Sequence, residues 1–86
     1  MKIHPDDLNL IPAKAAATST MAVIDAVQDY PPAVQIIAVV AAFKLMIERF
    51  NMNAQDAFTV ADNIMNHAQG RRVEFEAVQA YLENEL

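Results

Sequence analysis

A chain of 86 residues with a net charge of −5, no cysteine and a hydrophobic fraction of 55% leaves few classes open. The length allows one domain, and the missing cysteines exclude a disulfide framework and a thiolate zinc site. The acidic balance disfavours general binding to nucleic acid and to anionic membrane surfaces, because both repel it.

One glycine against sixteen alanines favours helix over sheet. A domain of this size buries only about 60–65% of its unfolded surface. Its hydrophobic fraction nevertheless exceeds the ~45–50% of ordinary soluble domains. An apolar excess in a small chain is what self-association produces.

Residues 1–11 read as an N-terminal arm. Pro5, Asp6 and Asp7 suit a first helical turn, and Ile3, Leu8, Leu10 and Ile11 are apolar enough to pack down. Pro5, Asp6 and Asp7 come three to five residues after Lys2, where a secretory leader needs an apolar segment. The expectation is a cytoplasmic protein without a leader.

A first long helix is predicted over about 12–28, with Pro12 at its start and Ala13, Ala17, Met21, Ile24 and Val27 inward. Pro31 and Pro32 end it, since a residue before proline avoids the helical region. A second helix is predicted over about 32–50. Its run from Ala33 to Phe43 is apolar on every side, with Gln35 the single interruption. A surface helix needs one apolar stripe, so this one asks to be covered all round. The run is still too short for a membrane span, which needs about 20 residues.

Asn53 is a good cap for a third helix over about 54–68, with Asp56 at its third position. Ala54, Ala57, Phe58, Ala61, Ile64, Met65 and Ala68 form its apolar stripe, and Gly70 suits a left-handed stop. A fourth helix is predicted over about 71–83, with Phe75, Val78 and Leu82 on one face and Glu76, Gln79 and Glu83 on the other. The short links make neighbouring helices pack in sequence order.

Chemistry-bearing residues are sparse. A zinc site wants three converging ligands, and the two histidines, His4 and His67, are far apart in sequence. His67 is explained by the end of its helix, where the dipole favours a cation. Asp6 and Asp7 read as first-turn acids. Glu74 and Glu76 stand three and four residues after Arg71 and Arg72, in reach of pairing on one helix, as Lys44 and Glu48 do. Thr18, Ser19 and Thr20 have no neighbouring base, and no glycine-rich loop opens a helix. Neither catalysis nor a cofactor is expected. A helix-turn-helix reading of the last two helices fails on charge, since Glu74, Glu76 and Glu83 would face phosphate.

Arg71 and Arg72 oppose the dipole at a helix start, a local conflict that can mark a contact site. Residues 54–86 carry six acids against these two arginines. Together with Glu76 and Glu83 they form the candidate surface for a protein partner.

The expected fold is therefore all-α: a compact bundle of about four helices with a short N-terminal arm and a central apolar helix at 33–50. Val34, Ile37, Val40, Ala41 and Phe43 are the candidate self-association interface, and alanines at 38, 41 and 42 allow close helix approach. The expected function is that of a small acidic, non-enzymatic protein acting through protein–protein contacts as a homodimer. Two alternatives remain: a structural subunit of a larger heteromeric assembly, and an acidic inhibitor occupying a basic groove of a nucleic-acid-binding protein.

Overall fold

Every long apolar pattern in the sequence becomes a helix in the computed structural model, which describes residues 2–86. The order is α1 (Pro5–Asn9), α2 (Ala13–Val27), α3 (Pro32–Phe50), α4 (Ala54–Met65), a hairpin of β1 (Asn66–His67) and β2 (Gly70–Arg71), and α5 (Val73–Glu85). The fold is all-α, with the hairpin as a minor insertion.

The arm is held at the start of its short helix. The His4 N–H donates to Asp7 Oδ2 at 3.1 Å, and the Asp7 N–H donates to the His4 carbonyl at 2.9 Å. Farther back, the Ile3 N–H donates to the Phe50 carbonyl at 3.0 Å, tying the arm to the end of α3. Helix α1 packs on α4.

The core lies between α2, α4 and α5. Ala17, Phe75 and Val78 are buried together, and Ala16, Met21, Ile24, Ile64 and Met65 pack around them. Ala17 presents only a methyl group, so α5 comes close enough for Phe75 to lie against α2. The expected inward face of α2 is thus present, with Ala17 buried and Ala13, Met21, Ile24 and Val27 half-buried. Ser19 and Thr20 turn their hydroxyls onto carbonyls one turn back: Ser19 onto Ala15 at 2.7 Å, Thr20 onto Ala16 at 2.8 Å. These bonds satisfy hydroxyls that would otherwise compete with the helix for its own backbone.

The region between α4 and α5 differs from the continuous helix ends expected there. Helix α4 stops at Met65, three residues early, and α5 starts at Val73. Asn66 is extended (φ −131°, ψ 155°), and its side-chain Nδ2 donates back to the Asp62 carbonyl at 2.9 Å. The same carbonyl also accepts the Asn66 N–H, so backbone and side chain of one residue both hold the last turn while the chain beyond it leaves the helix. Asn66 pairs with Arg71 and His67 with Gly70 in antiparallel register. His67 Nδ1 accepts the Gln69 N–H at 3.1 Å across the turn, so its role is local and not a response to a helix dipole. Gly70 has φ +122°, a conformation that side-chain-bearing residues avoid. It closes a hairpin and does not cap a helix.

Asn53 caps α4 as expected, its side chain accepting the Asp56 N–H at 3.1 Å. Replacing Asn53 with alanine leaves that donor to water. Asn53→Ala is expected to lower stability by about 1 kcal/mol, read as a lower urea midpoint at unchanged slope and fixed chain concentration.

Candidate functional site

Helix α3 is the longest element, at 19 residues. Pro32 opens it with its φ already set for a helix and no N–H to leave unsatisfied. Asn51 closes it in the left-handed conformation (φ 51°). The Asn51 N–H then reaches the Glu48 carbonyl at 3.3 Å, and the Met52 N–H reaches that of Ile47 at 3.1 Å. This is the usual way of satisfying the last carbonyls of a helix.

Gln35, the polar residue within the apolar run, has a defined partner set. Its Nε2 donates to the Tyr30 carbonyl at 2.8 Å and to the Gln28 carbonyl at 3.2 Å. Both carbonyls belong to the end of α2 and the turn after it, so Gln35 locks the start of α3 onto that turn. Gln28 in turn accepts the Tyr81 hydroxyl through Oε1, which links the turn to α5.

Between these fixed ends α3 is uncovered, and none of its residues is buried. Ile36, Ile37 and Leu45 are 65–67% exposed, and Val34, Val39, Val40 and Met46 are exposed as well. On the side toward the rest of the fold, Phe43, Ile47 and Phe50 are half-buried. The rings of Phe43 and Phe58 stand 5.1 Å apart, centre to centre, at 38°. That tilted contact suits the aromatic quadrupole, yet Phe58 remains 55% exposed.

Whole-molecule dimensions carry the same message. A compact monomer of 9.5 kDa exposes about 5,000 Å², whereas this chain exposes 6312 Å². Its radius of gyration is 13.5 Å, against about 12 Å for a compact chain of this length. The molecule is a slab of 36 × 32 × 17 Å. The surplus of roughly 1,300 Å² per chain matches what one partner contributes to a stable homodimer interface, whose total runs from about 2,000 Å² upward.

Of the interface residues expected from sequence, Val34, Ile37 and Ala41 share the outward side of α3. Val40 is exposed but lies nearer the inward side, and Phe43 turns inward to Phe58. Leu45, which is not among the residues expected from sequence, is exposed on the same outward side. Its signal was its spacing of four residues from Ala41, which continues the outward stripe.

The other candidate surface is dispersed. Glu76 and Glu83 are exposed on the outer face of α5, two turns apart, and Glu83 Oε1 accepts the Gln79 amide at 3.2 Å. Arg71 sits in β2 and Arg72 caps α5 by position, both half-buried. Arg72 faces a small polar hollow with Asn9 and Asn63, and its Nε is buried without a partner. No Lys or Arg lies within 4.0 Å of a carboxylate among the described residues, so the Arg71–Glu74, Arg72–Glu76 and Lys44–Glu48 pairs are not formed. Arg71 lies in β2 and Arg72 at the cap of α5, so neither shares a continuous helix with Glu74 or Glu76, and an exposed pair such as Lys44–Glu48 gains only a few tenths of a kcal/mol.

Among the described residues no group of three His, Asp or Glu side chains converges, and no helix is long and apolar enough to cross a membrane. No protein-family model, curated protein or solved structure matches the chain.

The Gln35 bonds make a direct prediction. Gln35→Ala removes two hydrogen bonds from carbonyls at the end of α2 and the turn after it, and is expected to cost about 1–2 kcal/mol. Urea denaturation of wild type and variant at one chain concentration reads the difference.

Proposed function

We propose that this chain is a non-enzymatic interaction protein that self-associates through α3. One observation carries the reading: a 19-residue helix, held at both ends, in which no residue is buried although its run from Ala33 to Phe43 is apolar but for Gln35. An exposed apolar patch of this extent on a small domain marks a contact surface. The surface surplus supports the same reading, since one further chain of equal size would absorb it. The exposed acids Glu76 and Glu83 lie on α5 and not on α3. Covering α3 would leave them available to a second, basic partner.

Light scattering coupled to size exclusion tests the proposal. Wild-type chain is expected at twice its 9.5 kDa, with little change between low and high salt because the contact is apolar. Ile37→Glu places a charge in the contact and is expected to shift the population to monomer. Its circular dichroism should stay helical, because Ile37 is exposed within one chain. Wild-type chain that runs as a monodisperse monomer at every concentration would sink the proposal. Aggregates that dissolve only in complex with a different chain would replace the homodimer with the heteromeric alternative.

A further inference from the structure

The outward side of α3 carries enough pattern to define how a second copy would sit on it. This inference rests on the self-association proposed above and specifies its geometry. Two apolar stripes run along the helix. Ile36, Val40, Phe43, Ile47 and Phe50 follow a spacing of four, three, four and three, and the last three of them face the rest of the fold half-buried. Val34, Ala38, Ala41 and Leu45 follow a spacing of four, three and four on nearly the opposite side, and all four are exposed. Such spacing holds a set of side chains on one side of a helix over three turns.

The second stripe is ordered by size: large, small, small, large. Two helices that cross are closest at the crossing point and diverge from it. Small side chains belong at that point and large ones beyond it. Ala38 and Ala41 therefore mark the crossing, and Val34 and Leu45 fill the widening gap on either side. The order reads the same in both directions about a point between Ala38 and Ala41, so a two-fold axis can pass there and make the contact self-complementary.

Charge decides the direction. Residues 32–43 of α3 carry none, and Lys44, Glu48 and Arg49 all lie in its C-terminal part. A parallel pair would set these charged ends side by side, together with like ends of the two helix dipoles. An antiparallel pair lays each charged end beyond the neutral start of the other helix. It also carries Arg49 toward the turn before the other α3, where the exposed Asp29 stands.

We propose that two copies of this chain pair α3 against α3, antiparallel, about a two-fold axis between Ala38 and Ala41, with Val34 of each copy opposite Leu45 of the other. The area supports this occupant. The whole chain exposes roughly 1,300 Å² more than a compact monomer of its mass, and the exposed apolar residues of α3 are the longest continuous part of that surface.

The chain has no cysteine of its own, which makes disulfide trapping clean. A disulfide requires Cα atoms within about 7 Å. In the proposed pair, Leu45 of one copy lies about 16 Å along the axis from Leu45 of the other, and the same holds for Val34. Val34→Cys and Leu45→Cys are prepared separately, one with a tag that shifts its gel mobility. Each is oxidised alone, and then both are refolded together and oxidised. The mixture is expected to yield several-fold more covalent dimer than either variant alone, and that product should be the tagged–untagged pair. Strong bridging of Leu45→Cys with itself would overturn the antiparallel arrangement in favour of a parallel one. A wild-type dimer by light scattering with no bridging in the mixture would overturn this geometry and leave self-association standing. A wild-type monomer would remove both.

Discussion

The packing of α5 onto α2 is the contact on which the rest of the fold depends. Ala17 leaves room for Phe75 and Val78, and the three are buried together. With Val60 they are the buried hydrophobic residues among those described. Burying a large apolar side chain stabilises by about 1.5–3 kcal/mol, while ordering each backbone residue costs about 1–2 kcal/mol. A core of this size has little surplus to stabilise helices that do not touch it. Helix α1 leans on α4, and α3 is joined to the core side mainly through Phe43, Phe58 and the Gln35 bonds. Much of the chain's apolar surface thus lies outside its core, and this imbalance is what a second chain would correct. In the proposed dimer, stability and association would be coupled, and each would rise with chain concentration.

Helix positions were legible because their signals are local. Pro32 and Asn53 mark the starts of α3 and α4 through the physics of the first turn, and the Pro31–Pro32 pair ends α2. The inward face of α2 followed from the spacing of its alanines and of Met21, Ile24 and Val27. The hairpin was not legible. Met65, Asn66, His67 and Ala68 continue a helical pattern acceptably. What ends it is the extended Asn66 backbone pairing with Arg71, together with a glycine that takes a positive φ inside a turn rather than after a helix. Both outcomes use the same residues, and a choice between them depends on tertiary packing.

The candidate site was legible in outline. An apolar run without a polar face announces that a helix needs covering, and the structure leaves it uncovered within one chain. Its orientation was harder to read. When almost every position is apolar, hydrophobic periodicity cannot distinguish the inward side from the outward one. Phe43 reads as a candidate interface residue from sequence, whereas its ring meets Phe58. The arginines were misread for a related reason. Spacing alone puts Arg71 and Arg72 on one helix in reach of Glu74 and Glu76, and the hairpin moves Arg71 into a strand.

The fixing of α3 at its two ends has a consequence for how quickly and tightly it can meet another surface. Gln35 clamps its beginning to the α2 turn, and the Ile3 N–H holds the Phe50 carbonyl at its end. The helix is a beam resting on two supports, with its middle span open. Such an element has already lost its backbone freedom before any encounter. A binding partner therefore has only side-chain rotamers left to order, and the valine and alanine side chains of that span have few. The exposed span is preorganised, so the ordering part of the cost of association is small and what remains is the loss of translational and rotational freedom.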